Sequence, residues 1–183
     1  MTAPPSGDAA LRGVAHVYDL DDIDTDRIIP GKRTKTLVVA DMARYALEDL
    51  DPGFARRAQA GDILVVGRNF GCGSSREQAP MALKAAGMAL VIGRSFARIF
   101  YRNAINIGLP VLEIGDRPHA IATGHTLEVD AEAGRISDLS DGMTYSASQL
   151  PRVMLDILRG GGLVNYLVKY GNYRLLGQPG EDS

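Results

Sequence analysis

Residues 62–77 read Asp62-Ile63-Leu64-Val65-Val66-Gly67-Arg68-Asn69-Phe70-Gly71-Cys72-Gly73-Ser74-Ser75-Arg76-Glu77. The run DILVV is continuously apolar after its first residue and too short for a helix, which suits a strand buried on both faces. The glycine-rich stretch that follows ends where helical spacing begins, and residues 77–86 form the expected helix. Pro80 falls in its first turn, where backbone amides lack intrahelical partners and proline is tolerated. Gly87 suits the helix end. The pattern then repeats. Residues 89–92 read as a buried strand, Ser95 as the cap of a helix over residues 96–107, Gly108 as its stop, and residues 109–114 as a further strand. Strand–helix–strand–helix–strand is the pattern of a parallel α/β layer.

Upstream, residues 14–18 read as a short strand. Residues 21–30 (DDIDTDRIIP) turn from acidic to apolar and stop at Pro30-Gly31. Residues 41–50 place Met42, Tyr45, Ala46 and Leu50 near helical spacing, and Asp51-Pro52-Gly53 breaks that run. Downstream, residues 126–130 and 135–139 flank a glycine-containing turn and suggest an antiparallel hairpin. Ser148 is the expected cap of a helix to residue 159, Gly160-Gly161-Gly162 ends it, and residues 163–170 form a last short helix. The fold class is therefore α/β: one domain over residues 13–172 with a mixed, partly parallel central sheet, flanking helices and some antiparallel β structure. Residues 1–12 and 173–183 are expected to be flexible ends.

Composition bounds the function. The chain has 183 residues, 45% hydrophobic and 23% charged, which excludes a fully disordered polymer. Lys+Arg is 20 and Asp+Glu is 22, a formal charge of −2. That balance offers no broad basic field for nucleic acid or anionic lipid. No apolar run approaches the length of a membrane span, and no basic segment followed by an apolar one marks an export signal. Glycine is enriched, 21 residues of 183, above the usual level of about 7%. Cys72 is the single cysteine, which excludes an internal disulfide and any Cys-rich zinc module. An iron–sulfur cluster takes about four thiolates, so this chain cannot hold one unaided. A reducing cytoplasm is the expected compartment.

The loop after the first buried strand carries the chemistry. Its glycines let backbone amides face a ligand, and a helix N-terminus favours an anion there. Ser74 and Ser75 place hydroxyls at that point. Arg76 adds a planar fork suited to a carboxylate or phosphate. The loop is not a phosphate-binding P-loop, because no Gly-Lys-Ser/Thr follows. It is not a dinucleotide fingerprint, because Arg76 stands where the third glycine belongs. It is not a nucleophile elbow, because Gly-x-Ser-x-Gly is absent. Cys72 would need a nearby base to act as a nucleophile, and His16, His119 and His125 are all distant in sequence, so it reads as packed filler.

Asn69-Phe70-Gly71-Cys72-Gly73-Ser74-Ser75-Arg76-Glu77 resembles the signature of the aconitase swivelling-domain family, and in particular its 3-isopropylmalate dehydratase small-subunit branch. Residues 22–30 (DIDTDRIIP) are similar to that family's first active-site segment, and residues 95–110 (SFARIFYRNAINIGLP) to its following helix and strand. The resemblance implies a swivelling β/β/α domain, paired with a large subunit that carries a [4Fe-4S] cluster. It implies a hydro-lyase acting on small di- or tricarboxylic hydroxy acids, with no catalysis by this chain alone. Ser74 would be the base, Ser75 and Arg76 would grip a substrate carboxylate, and Asp26 would order the surrounding network. Arg33, Thr34, Lys35 and Thr36, in the loop after Ile28-Ile29-Pro30, would touch the variable part of the substrate.

That loop is cationic and hydroxyl-rich, whereas an isopropyl group prefers an apolar wall. Isopropylmalate therefore stands beside homoaconitate, 2,3-dimethylmalate and citraconate as substrates. A stand-alone carboxylate-binding module is a further reading, and a free small subunit can self-associate through the surface meant for its partner. Gln78 departs from the family, where many members carry His after Arg-Glu.

Overall fold

The structure is a computed structural model and describes residues 10–34, 38–116 and 119–171. Its centre is a seven-stranded sheet of order β4-β3-β2-β1-β5-β6-β7. The strands are β1 Leu11–Tyr18, β2 Ile63–Val66, β3 Leu90–Gly93, β4 Val111–Glu113, β5 Thr126–Asp130, β6 Arg135–Asp138 and β7 Thr144–Ser146. The helices are α1 Thr25–Ile28, α2 Val39–Ala43, α3 Phe54–Arg57, α4 Gln78–Ala85, α5 Arg98–Asn106, α6 Arg152–Arg159 and α7 Leu163–Tyr170.

Strand β1 joins two half-sheets by changing partner midway. Its first half runs antiparallel to β5, from Leu11 opposite Val129 to Val14 opposite Thr126. Its second half runs parallel to β2, from Ala15 opposite Ile63 to Tyr18 opposite Val66. Strands β2, β3 and β4 continue the parallel half, and β5, β6 and β7 the antiparallel half. The strand begins at Leu11, three residues before the sequence-based start, because β5 supplies a partner that no local signal announces.

Every residue of β2 and β3 is buried, as a sheet covered on both faces requires. Leu64, Val66, Val91 and Val111 point into one core with Leu83 of α4, Phe100 and Ala104 of α5, and Tyr166 of α7. Ile63, Val65, Leu90, Ile92 and Leu112 point into the other, with Leu127, Val129 and Ile136 of the antiparallel half and Leu155 of α6. At the start of β2 the buried Asp62 carboxylate bonds His16 Nε2 at 2.7 Å and accepts the Gln59 amide at 2.8 Å. Among the described residues no helix is long and apolar enough to cross a membrane.

The strand–helix–strand–helix–strand core appears as the sequence suggests. Three local readings change. The expected helix over residues 41–50 is confined to α2, because the Leu47 amide donates to the Ile28 carbonyl at 2.8 Å and Leu47 takes φ 56°. Ser95 caps no helix: its Oγ accepts the Asn69 amide at 2.9 Å, and α5 starts at Arg98. Ser148 likewise holds the Glu113 amide at 2.9 Å, and α6 starts after Pro151. The short strand β7 and the turn of helix α3 carry too few residues for a periodic signal.

Gly71 joins the loop to this core at the tightest point. Its φ is +78°, and a Cβ there would lie 2.3 Å from Cγ of Phe100. Gly73 shares the left-handed backbone, φ +82°, but a Cβ would meet nothing closer than 3.5 Å. Gly71→Ala is expected to destabilise the chain by about 2–4 kcal/mol, combining overpacking with the left-handed penalty. Gly73→Ala should cost only the latter, about 1–2 kcal/mol. Thermal melting of the two variants checks the order, and equal midpoints would show that Phe100 yields freely.

Candidate active site

The loops that leave the carboxyl ends of β1, β2 and β3 meet at one end of the parallel half-sheet, the position where open α/β sheets bind ligands. They interlock through backbone groups. The Gly71 amide donates to the Ile23 carbonyl at 2.8 Å, and the Thr25 amide to the Cys72 carbonyl at 2.9 Å. Thr25 Oγ1 donates to the Ser74 carbonyl at 3.0 Å. On the other side, the Phe70 amide donates to the Ser95 carbonyl at 3.1 Å, and the Ala97 amide to the Phe70 carbonyl at 3.0 Å. The Phe70 ring is fully buried and stands edge-on to Phe100 at 5.1 Å and to Phe96 at 6.3 Å. A polar loop is thus anchored by one aromatic side chain and ladders on both flanks.

Asn69 and Asp22 both adopt left-handed φ, 52° and 56°. Asn69 Nδ2 donates to Asp22 Oδ1 at 2.7 Å, and the Asp22 amide donates to the Arg68 carbonyl at 2.9 Å. Short polar side chains tolerate this backbone because they bond locally. Further out, Arg68 pairs with Asp21 at 3.2 Å and Asp116 at 2.6 Å, and Arg94 with Asp19 at 2.9 Å. These ion pairs brace the rim of the site.

The Ser74 and Ser75 side chains are exposed at the loop tip, directly before α4. Arg76 is folded back. Its Nη1 lies 2.5 Å from Asp26 Oδ1, which also accepts the Gly31 amide at 3.1 Å. The Arg76 guanidinium holds the Asp26 carboxyl below the usual carboxylate range against desolvation, with a lesser contribution from the Gly31 amide. A Cβ on Gly31 would lie 3.3 Å from Asp26 Oδ1 and 3.5 Å from Arg76 Nη2, so the turn is closed against this pair. The fold therefore brings Asp26, Ser74, Ser75 and Arg76 to one place.

The remaining sequence candidates sit differently. Arg33 Nε bonds Glu48 at 3.0 Å, and its guanidinium lies 4.0 Å from the Tyr45 ring centroid, so the domain itself engages it. Thr34 Oγ1 donates to the Gly31 carbonyl at 2.8 Å. Lys35 and Thr36 lie outside the described residues. Gln78 is the first residue of α4.

Cys72 is half-buried, and desolvation, with Asp22 and Asp24 adding to it, pushes its thiol up. A raised thiol is a poor nucleophile and a poor metal ligand at neutral pH. The histidines lie elsewhere: His16 on Asp62, His125 on Asp138 at 2.7 Å, and His119 3.9 Å from Asp19. A cavity of about 610 Å³ runs between α5 and α6, lined by Phe96, Tyr101, Ile105, Met154, Ile157 and Leu163 among others. None of the candidate site residues lines it.

Sequence reading passes over Thr25, although it stands inside DIDTDRIIP. It is 2% exposed, and a buried threonine between two aspartates signals a hydroxyl with a backbone acceptor.

A seryl-seryl-arginyl turn at the carboxyl end of a parallel sheet, backed by an aspartate from the first loop, places two hydroxyls and a guanidinium side by side, and comparison with known proteins gives the class of domain as the aconitase type. Residues 48–117 match the family model described as the aconitase C-terminal domain. A 3-isopropylmalate dehydratase small subunit from Moorella thermoacetica is 48% identical over 87% of this chain and 95% of its own length. A 2,3-dimethylmalate dehydratase small subunit from Eubacterium barkeri is 47% identical over 80% of this chain and 90% of its own. The crystal structure of 3-isopropylmalate dehydratase from Methanocaldococcus jannaschii superposes with a TM-score of 0.83, at 41% identity, covering 88% of this chain and 95% of the other. The chain belongs to the 3-isopropylmalate dehydratase small-subunit family.

Proposed function

We propose that this chain is the small subunit of a heteromeric hydro-lyase that interconverts 2- and 3-isopropylmalate by dehydration and rehydration. The observation that carries the reading is a half-built site. Asp26 holds Arg76 and Thr25 holds the Ser74 carbonyl, yet the two serines stand exposed at a loop tip. Such a site needs a second surface, and the large subunit is that surface.

The reaction removes a weakly acidic proton from a carbon beside a carboxylate and a hydroxyl from the adjacent carbon, then returns both with their positions exchanged. Ser74 takes and returns the proton. A serine hydroxyl is a weak base unless donors stabilise its alkoxide. The loop amides at the start of α4 and the Arg76 guanidinium are the donors at hand. Arg76 keeps one arm on Asp26 and offers the rest of its fork to a substrate carboxylate, with Ser75 beside it.

The residues of this chain do not make a cluster site: the only thiol is Cys72, and its surroundings oppose thiolate formation. The [4Fe-4S] cluster of this reading belongs to the large subunit. A free thiol is consistent with a reducing cytoplasm.

The Eubacterium barkeri relative favours a second reading in which the acid is 2,3-dimethylmalate. Homoaconitate and citraconate remain the outer comparison. Hydration assays on the chain reconstituted with its large subunit decide among them. The isolated chain is expected to be inactive, and the heteromer to prefer isopropylmalate over the dimethyl, citraconate and homoaconitate substrates. Activity in the isolated chain, or binding of an acid with no turnover in the heteromer, would overturn the subunit assignment.

A further inference from the structure

Thr25 sits where the first loop crosses the catalytic loop. Its amide donates to the Cys72 carbonyl at 2.9 Å, and its hydroxyl to the Ser74 carbonyl at 3.0 Å. Together with the Gly71 amide on the Ile23 carbonyl at 2.8 Å, these bonds lay residues 23–25 alongside residues 71–74 in parallel fashion, with an isolated bridge between Asp24 and Cys72. The last rung is the unusual one, because a side chain replaces the backbone donor.

The consequence follows from peptide geometry. A peptide unit is planar, and in the trans form its carbonyl and the next amide point in opposite directions. The chain has no cis peptide bond among the described residues. Thr25 is 2% exposed, so its hydroxyl draws the Ser74 carbonyl inward. The Ser75 amide is thereby turned outward, to the side on which the Ser74 and Ser75 side chains are exposed. Among the described residues no acceptor takes that amide. A donor held in place without an acceptor is what a transient oxyanion requires.

We propose that Thr25 is a positioning residue whose hydroxyl, acting through the Ser74 carbonyl, aims the Ser75 amide at the alkoxide formed on Ser74 Oγ. The proposal rests on the reading of Ser74 as the base. It places a buried residue of the first loop in control of the basicity of a serine 49 residues away. Thr25 is 2% exposed and its hydroxyl has one acceptor, so substitution separates the shape of the side chain from its donor.

The test uses the reconstituted heteromer with Thr25→Val, Thr25→Ser and Ser74→Ala side by side. Thr25→Val keeps the shape and removes the donor. It is expected to lower kcat about tenfold to a hundredfold, less than outright loss of an oxyanion donor, with KM changed less than about twofold on the uniform-binding criterion. The pH at which kcat rises should move upward, because an alkoxide that loses a donor is harder to form. Thr25→Ser should restore both rate and profile.

Wild-type kcat in Thr25→Val while Ser74→Ala is inactive overturns the positioning role alone. A rise in KM with unchanged kcat also overturns it, since the amide would then serve substrate binding. A Thr25→Val chain that fails to fold or to bind the large subunit overturns it too, making the hydroxyl a folding determinant. An active Ser74→Ala would instead remove the reading on which the proposal stands.

Discussion

Ser74→Ala in the assembled enzyme is expected to lower turnover by about 10²- to 10⁴-fold, the span that a positioned general base contributes. In barrier terms that is roughly 3–5.5 kcal/mol. The effect should be confined to chemistry. The Ser74 side chain is exposed and forms no hydrogen bond among the described residues, and its backbone carbonyl is engaged by Thr25. Removing one exposed hydroxyl should change stability by less than about 0.5 kcal/mol, and assembly with the large subunit should be unchanged. Steady-state kinetics with isopropylmalate, beside a melting curve of the isolated chain, checks both halves. Near-normal turnover would show that the proton is taken by another group.

The parallel half of the fold was legible because its signals are local. ILVV and LVIG are buried on both faces, so they read as apolar runs without alternation, and the glycine-rich loop and Gly87 bracket α4 between them. The hairpin of β5 and β6 was legible for the opposite reason: β5 alternates, with Leu127 and Val129 buried and Glu128 exposed. What escaped was set at long range. Leu47 leaves the helical path for the Ile28 carbonyl, and Ser95 and Ser148 leave their expected caps for amides of Asn69 and Glu113. A hydroxyl suited to capping bonds any nearby amide, and only the folded chain decides which.

The site divides in the same way. Ser74, Ser75 and Arg76 are contiguous, so one glycine loop before a helix reveals them together. Motif resemblance points to Asp26 but not to its partners: the carboxylate reaches Arg76 and the Gly31 amide only after the two loops cross. Arg33 has partners that its local sequence does not announce. A cation in a polar loop reads as available to a substrate, whereas here Glu48 and the Tyr45 ring hold its guanidinium. Glu48 takes only Nε, so the terminal nitrogens of Arg33 keep their donors for a substrate while both contacts stay in place.

Arg76→Lys is expected to reduce kcat/KM by about 10²-fold or more, although charge is conserved. On the proposed function, Arg76 acts in more than one direction at once. One nitrogen lies 2.5 Å from Asp26, and the side chain is only 21% exposed, so its approach is fixed. A guanidinium can keep that contact and still present a planar pair of N–H donors to a carboxylate, whereas an ammonium is a point charge with no fork. A hydrogen bond to a charged group contributes about 1.5–3 kcal/mol, and losing one or two of them gives the expected factor. Asp26→Asn separates the contributions. It leaves the guanidinium present but without the carboxylate that orients it, so KM should rise less than in Arg76→Lys. The pH dependence distinguishes the variants further. Arg76 holds Asp26 ionised below the usual carboxylate range, so the stabilisation from this pair is present above that range and is lost as pH falls through the lowered value. Arg76→Lys should therefore shift the acid limb of stability toward neutrality, whereas Asp26→Asn should abolish that contribution. If Arg76→Lys keeps wild-type kcat/KM, the arginine serves the fold of the loop and the substrate carboxylate is held elsewhere.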